Sequence, residues 1–229
     1  SQGREYTGAE VTSEGFQIYG LDPYQYYSAG YACYLSETNS MQDAWDIWDN
    51  HMPVTNVKNG HIIGYKYFGF GGLKENKKGL KAFNGTKPGN RPAFNLFLTP
   101  KTKNAFKINI WLDGPWDNST WKGKKIGEIN VPANATQATT QFTADVSAVV
   151  DKLDKKHAIY LVAEGTDSGD LFDLIGLGFS SKEKKIVRPV VPTVSIQADG
   201  KAIDLPETPV RSTHANGIVG YNLYETTYK

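Results

Sequence analysis

Apolar and polar residues alternate in short runs along much of the chain. The clearest run covers residues 106–112 (FKINIWL), in which Lys107, Asn109 and Trp111 alternate with apolar neighbours. Successive side chains of a β-strand point to opposite faces, so this run predicts a strand with one face in a core. Residues 93–99 (AFNLFLT) show the same period, with an apolar set on one side.

Glycine and proline separate further runs of this kind, with 23 Gly and 11 Pro in the chain. Five more strands are predicted, at residues 61–70, 125–131, 141–146, 157–163 and 171–179. Many short strands between turn-forming residues are typical of a β-sandwich or jelly roll. The predicted fold class is therefore all-β, a β-sandwich (jelly roll) with a short β-rich C-terminal extension.

Helix is predicted at only two places. Ser40 is a suitable N-cap for residues 41–50, which could form two turns that carry Trp45 and Trp48. Residues 146–153 could form a further short helix. The two tryptophans are interpreted as core or docking residues, because a two-turn helix on a sandwich buries its large side chains.

The composition changes after the predicted sandwich, which covers residues 1–181. A proline-containing connection (RPVVP) follows, and then Asp199-Gly200, a dipeptide favoured in two-residue hairpin turns. Residues 218–224 predict one further strand. Because roughly 40 residues cannot bury a core of their own, residues 182–229 are predicted to be a linker and β-hairpin extension. This extension either packs on the sandwich or begins a further domain.

Charge and cysteine content exclude several classes of function. The 25 basic and 24 acidic residues leave a net charge of +1, whereas nucleic-acid binding normally needs a basic stripe. No apolar stretch approaches the roughly 20 residues of a membrane span. The single cysteine, Cys33, excludes an internal disulfide and, from its apolar neighbours, is interpreted as a buried core thiol. A monomer is expected.

Three segments stand out in this order along the chain: residues 59–71 (NGHIIGYKYFGFG), residues 108–114 with 126–132 (IGEINVP), and residues 157–166 with 171–174 (LFDL). In their sequence and order they resemble the family 6 carbohydrate-binding modules. The resemblance covers about residues 55–180 and implies a β-jelly-roll that binds carbohydrate. Taken together with residues 44–49 (AWDIWD) and 111–117 (WLDGPWD), these segments are similar to modules attached to family 43 glycoside hydrolases of gut Bacteroides.

That resemblance implies a non-catalytic module of a secreted polysaccharide-degrading glycoside hydrolase. The expected partners are a plant-type polysaccharide or oligosaccharide and an adjacent glycosidase domain. The expected location is secreted, periplasmic or on the bacterial cell surface. A structural accessory module that braces the catalytic domain and has lost sugar binding is the alternative.

The chain departs from the family at its usual binding positions. Residues 133–140 contain no aromatic residue, where the family stacks sugar on a tryptophan. Ile62 stands at the tryptophan of a second family site, and Asp173 stands at a sugar-binding asparagine. The family's calcium-ligating aspartate corresponds to Ile175, and Glu10 and Glu14 are weak candidates for other metal ligands. No cofactor is required, and a structural calcium ion is left open.

Other aromatic residues could form a replacement site. Trp116 and Trp121 flank Asn118 in a turn-rich stretch, where an exposed indole can stack on the apolar face of a sugar ring. The predicted ligand-binding residues are Trp116, Trp121, Asn118 and Asp173. Tyr31 and Tyr34, with the tyrosines of residues 22–27, add further candidate rings, but they are interpreted as residues that pack a long loop or face a neighbouring domain. The alternative for the two tryptophans is that they pack a long loop or face a neighbouring domain.

Catalysis by this chain itself is not predicted. Carboxylates are abundant, but a glycosidase needs two of them at a defined separation, which sequence does not show. The four histidines lack the H-E-x-x-H spacing of a zinc site. A G-x-S-x-G nucleophile elbow and a P-loop are also absent from the sequence.

Overall fold

The computed structural model describes most of the predicted sandwich and parts of both ends. The described residues are 11–12, 15–16, 20–36, 40–41, 53–71, 89–154, 156–189, 196–198, 201–203, 211–215 and 218–223. Seventeen strands, one short α-helix (α1, Ser147–Val150) and one 3-10 helix (Ala29–Tyr31) lie in these ranges. The all-β prediction is therefore confirmed.

The strands are numbered in chain order. Their bounds are β1 (Val11–Thr12), β2 (Gly15–Phe16), β3 (Tyr27–Ser28), β4 (Tyr34–Leu35), β5 (Ser40–Met41), β6 (Val54–Val57), β7 (Ile62–Gly69), β8 (Ala93–Pro100) and β9 (Phe106–Asp117). They continue as β10 (Lys122–Val131), β11 (Thr140–Asp145), β12 (Lys156–Gly165), β13 (Phe172–Ser180), β14 (Ile196–Ala198), β15 (Lys201–Ile203), β16 (Arg211–Ala215) and β17 (Ile218–Leu223).

Two antiparallel sheets form the sandwich. The five-stranded sheet has the order β10-β9-β12-β7-β4. The six-stranded sheet has the order β11-β8-β13-β6-β5, and β3 adds to β13. Consecutive strands β9 and β10 are neighbours, whereas β12 lies between β9 and β7, so the sheets are built from pairings distant in sequence.

The core lies between the two sheets and is rich in phenylalanine. Phe179 is fully buried on β13, and its ring centroid lies 4.7 Å from Phe94, 5.3 Å from Phe70 and 5.4 Å from Phe68. Tyr65 is also fully buried, and its hydroxyl donates a 2.9 Å hydrogen bond to the Ala29 carbonyl. Burial of the ring raises the Tyr65 pKa. One continuous aromatic core therefore joins the sheets.

The seven strands predicted from alternation are all present. The apolar side of residues 106–112 faces the core, while Lys107 and Trp111 on the other side are partly exposed. β14 and β15 pair with Ala198 opposite Lys201, which brackets the predicted Asp199-Gly200 turn. The sequence did not indicate β6 or the shortest strands, since two to four residues are too few to show a period.

Two local predictions need correction. Cys33 is exposed and not a core thiol, because it lies beside the edge strand β4, where its Sγ approaches the Gly64 carbonyl oxygen at 3.3 Å. Met41 belongs to the short strand β5 and not to a helix, and residues 42–50 lie outside the described ranges. α1 falls within residues 146–153, as predicted.

The 182–229 extension is described in part. The β14–β15 hairpin has the expected antiparallel pairing. β17 lies at the strand predicted for residues 218–224, and it pairs with β16, which the sequence did not predict. Whether the extension packs on the sandwich or begins a further domain stays a prediction. Across the described residues, no helix combines the length and apolar character that a membrane crossing requires.

Candidate functional site

The β9–β10 hairpin carries both predicted tryptophans. β9 continues beyond the predicted strand to Asp117, so Trp116 lies on a strand and not in an open loop. The side-chain oxygen of Asn118 accepts hydrogen bonds from the backbone N–H groups of Thr120 at 2.9 Å and Trp121 at 2.7 Å. Asn118 thus closes the turn that brings the two indoles together, and its oxygen is committed to that turn.

The base of this hairpin is fixed to β12. Asp113 has a φ of 61°, in the left-handed region, and follows Leu112, where the pairing of β9 with β12 ends. Its Oδ1 accepts a 3.0 Å hydrogen bond from the Ala158 N–H, and its Oδ2 lies 2.7 Å from His157 Nδ1. One carboxylate therefore joins the hairpin to two consecutive residues of the neighbouring strand.

Four aromatic rings form a continuous series across the outer face of the five-stranded sheet. The ring centroids are 6.2 Å apart for Trp116–Trp121, 5.9 Å for Trp121–Tyr160 and 6.2 Å for Tyr160–Tyr34. Each pair is edge-to-face, with interplanar angles of 69°, 76° and 66°, a favoured aromatic geometry. We call these four residues the aromatic row.

Exposure differs along the aromatic row. Trp116 is 42% exposed and Tyr34 is 38% exposed, whereas Tyr160 between them is 2% exposed. Trp121 is intermediate and packs on a small apolar cluster outside the main core. The cluster comprises Ile62, Ala158 and Tyr160, with Tyr67, Trp111, Trp121 and Val162 packed against it. The row thus has a buried middle and exposed ends.

A polar strip borders the aromatic row on the same face. Glu164 accepts a 3.0 Å hydrogen bond from Asn109 Nδ2 and forms a 3.1 Å ion pair with Lys107. Lys125 pairs with Glu128 at 2.7 Å. The hydrogen bond from Asn109 and the contact with Lys107 both lower the Glu164 pKa. This carboxylate is therefore ionised at neutral pH and can accept hydrogen bonds from hydroxyl groups.

Asn109 has an unsatisfied group within the polar strip. The residue is 7% exposed, and its Oδ1 is a buried oxygen for which the described residues provide no hydrogen-bond partner. An unpaired buried acceptor costs free energy.

Asp173 lies on the other sheet. Its neighbours Phe172 and Leu174 are fully buried, so the Asp173 side chain points to the outer face of the six-stranded sheet. Its oxygens accept a 3.0 Å hydrogen bond from the Asn56 N–H and pair with Lys101 at 2.8 Å. The structure brings Trp116, Trp121 and Asn118 together but places Asp173 on the opposite side of the sandwich.

The loop that follows β10 is held by hydrogen bonds to neighbouring loops. The Asn134 N–H donates to the Lys103 carbonyl at 2.8 Å, and Gln137 Nε2 donates to the Lys101 carbonyl at 3.2 Å. Asn104 Nδ2 donates to Asp167 at 2.6 Å from the adjoining loop. This end of the sandwich therefore uses its polar side chains to join loops, and residues 133–139 bring no aromatic ring to it.

Calcium binding stays a prediction for this chain. Ile175, at the position of the family's aspartate, has no ligating side-chain atom. Glu10 and Glu14 lie outside the described residues. Within the described part of the chain, no group of three or more His, Cys, Asp or Glu residues is arranged to hold a metal ion.

The sequence did not assign Tyr160 to the site, and it led to an interpretation of Tyr34 as a packing residue. Alternation within residues 157–163 places Tyr160 opposite the core-facing Ile159 and Leu161. That period was a usable signal for an outer-face tyrosine. No sequence signal showed that β12 lies beside β7, or that β4 would bring Tyr34 next to Tyr160.

Comparison with solved structures gives a related architecture. A glycoside hydrolase family 43 arabinoxylan arabinofuranohydrolase from Bacillus subtilis, in complex with cellotetraose, matches with a TM-score of 0.51 and 20% identity. The match covers 76% of this chain and 33% of that chain, so this chain spans about a third of the enzyme's length. At this level of identity the similarity shows a shared β-sandwich fold.

Family 6 carbohydrate-binding modules are also among the matching structures. The module from Clostridium cellulolyticum, in complex with xylose, has 23% identity and a TM-score of 0.47 over 70% of this chain and 100% of its own. A β-1,3-glucan-binding module from Bacillus halodurans has 16% identity and a TM-score of 0.46 over 70% and 98%. No protein-family model matches the sequence, and no curated protein matches it.

Proposed function

We propose that this chain is a non-catalytic carbohydrate-binding module and that glycan binds on the outer face of the five-stranded sheet. The observation that carries the proposal is the Trp116 indole, which is 42% exposed yet held edge-to-face against Trp121. An exposed ring that is already fixed loses little side-chain entropy when a ligand covers it.

The chemistry of this face matches the two kinds of surface on a sugar. The apolar C–H side of a pyranose ring can stack on Trp116, since aromatic side chains bury large apolar areas on contact. Hydroxyl groups at the edge of the ring need charged partners, which the solvent-accessible side chains of Glu164 and Lys107 supply. The face thus combines an aromatic half with a hydrogen-bonding half.

The type of glycan, the associated domain and the cellular location are proposed from the sequence resemblance. We propose a plant-type polysaccharide or oligosaccharide as ligand and a glycosidase domain in the same protein. We also propose a secreted, periplasmic or cell-surface location in a bacterium.

A structural module is the second candidate. Exposed tyrosine and tryptophan are also enriched in protein interfaces, so Trp116 and Tyr34 could be covered by an adjacent catalytic domain. The ion pair of Asp173 with Lys101 favours this candidate, because it engages the side chain at the family's sugar-binding position. In that case the isolated chain would not bind glycan.

Isothermal titration calorimetry with arabinan, xylan, mannan and β-glucan oligosaccharides tests the proposal. We expect saturable binding of at least one of them, and an affinity loss of about tenfold or more in Trp116→Ala. Truncation of a stacking aromatic hot spot costs about 2 kcal/mol, and 1.4 kcal/mol corresponds to tenfold in Kd.

Asp173→Ala is the matched control, because it removes the polar side chain at the family's usual sugar-binding position on the opposite face. It should bind as the unaltered protein does. Absence of heat with every ligand at millimolar concentration would reject the proposal in favour of the structural module. Loss of binding in Asp173→Ala with retention in Trp116→Ala would place the site on the six-stranded sheet and contradict the proposal.

A further inference from the structure

We infer that Tyr34 is a second stacking platform of the same site, so that the ligand is a linear glycan chain that crosses the strands of the five-stranded sheet. This inference rests on the proposed function and adds the length and direction of the ligand. A single sugar or a disaccharide would contact only one of the two exposed rings.

The strand register places Tyr34 in line with the aromatic residues of the inner strands. Tyr34 on β4 is paired with Gly64 on β7, Gly64 with Tyr160 on β12, and Tyr160 with Trp111 on β9. Neighbouring strands are about 4.8 Å apart, so three such steps span roughly 14 Å. The aromatic positions therefore run perpendicular to the strands and cross most of the sheet.

Gly64 makes this line continuous. A Cβ atom at residue 64 would lie 2.7 Å from Tyr160 Cε1 and 2.9 Å from Tyr160 Cδ1, and 3.0 Å from the Tyr34 Cβ. The glycine thus leaves the space in which the Tyr160 ring lies over β7 and reaches Tyr34. With any other residue there, the two tyrosines would be separated by a side chain.

Solvent exposure distinguishes the two rings that can stack on a sugar from the buried ring between them. Tyr160 is almost completely buried and forms the floor, whereas Trp116 and Tyr34 offer 42% and 38% of their surface to solvent. Trp111 and Trp121 are partly exposed between them. A chain with repeating apolar C–H faces can cover such a surface at two separated points, and the second contact becomes intramolecular once the first has formed.

The test is the dependence of affinity on chain length, with cello-oligosaccharides and xylo-oligosaccharides from the disaccharide to the hexasaccharide. In the unaltered chain we expect affinity to rise with length until the chain reaches both rings. In Tyr34→Ala we expect the longest chains to lose about tenfold in affinity, and the disaccharide to lose none.

Three further variants make this test specific. Tyr34→Thr removes the ring but keeps a strand-forming side chain in case the alanine variant does not fold. Tyr34→Phe keeps the ring and should retain the length dependence. Tyr31→Ala is the matched control, because Tyr31 is 47% exposed but stacks on Tyr27 outside the aromatic row, and it should bind every chain as before.

The outcomes separate the inference from the proposed function. Binding that does not depend on length, or that Tyr34→Ala and Tyr34→Thr leave unchanged for the longest chains, overturns the inference alone. Failure of the unaltered chain to bind any of these oligosaccharides or those of the wider panel overturns the proposed function, and the inference with it.

Discussion

Gly123→Ala is expected to destabilise the protein by about 1–3 kcal/mol and to weaken glycan binding at the same time. A Cβ at residue 123 would overlap the carbonyl oxygen of Gly114 and lie 2.5 Å from its carbonyl carbon and 2.8 Å from the Trp116 carbonyl oxygen. All of these atoms are backbone, so a side-chain rotation cannot relieve the overlap. The strands of the hairpin must separate, and Trp116 moves with them.

Urea unfolding followed by circular dichroism measures the stability effect, and calorimetric titration measures the binding effect. Gly169→Ala is the matched control, since Gly169 is exposed, and a Cβ there would meet no atom within 4 Å. Its unfolding free energy should change by no more than about 0.5 kcal/mol. Equal stability of Gly123→Ala and Gly169→Ala would contradict the close approach of β9 and β10 at this point.

Phe179→Ala is expected to reduce the free energy of unfolding by about 3–5 kcal/mol. The ring is fully buried and contacts Phe68, Phe70 and Phe94, which come from both sheets. Its removal leaves a cavity among rigid rings that cannot collapse to fill it. Because domains of this kind are stable by only about 5–15 kcal/mol, the variant should unfold at much lower urea.

The control for Phe179→Ala is Val187→Ala, where the side chain is 75% exposed. We expect its urea midpoint to stay close to that of the unaltered protein, within about 0.5 kcal/mol in free energy. A loss below about 1 kcal/mol in Phe179→Ala would show that this ring does not join the two sheets as the structure has it.

The alternation of side chains made the sandwich predictable. Residues 106–112 show a period of two over seven positions, and the structure places their apolar side in the core. Such a run specifies a strand and its inner face because a shift by one residue would expose the whole apolar set. The exposure of Cys33 could not be predicted in this way, because Cys33 lies beside a strand of two residues, which is too short to show a period.

The Trp116–Trp121 contact was predictable for a local reason, since four residues and a turn separate them. The rest of the aromatic row depends on pairing between strands far apart in sequence, such as Tyr160 with Gly64. A single sequence does not encode that register in any local pattern. The sequence also did not show that Asp173 lies on the outer face of the other sheet, since similarity of motifs does not show which face of a sheet a side chain occupies.

The most direct test of the central claim is the response of the five tryptophan indoles to glycan in a two-dimensional 1H–15N NMR titration. The Trp116 and Trp121 signals are assigned with Trp116→Phe and Trp121→Phe. Both signals should shift saturably with a cello- or xylo-oligosaccharide. Unchanged Trp116 and Trp121 signals in the presence of bound ligand would contradict a glycan site on this face.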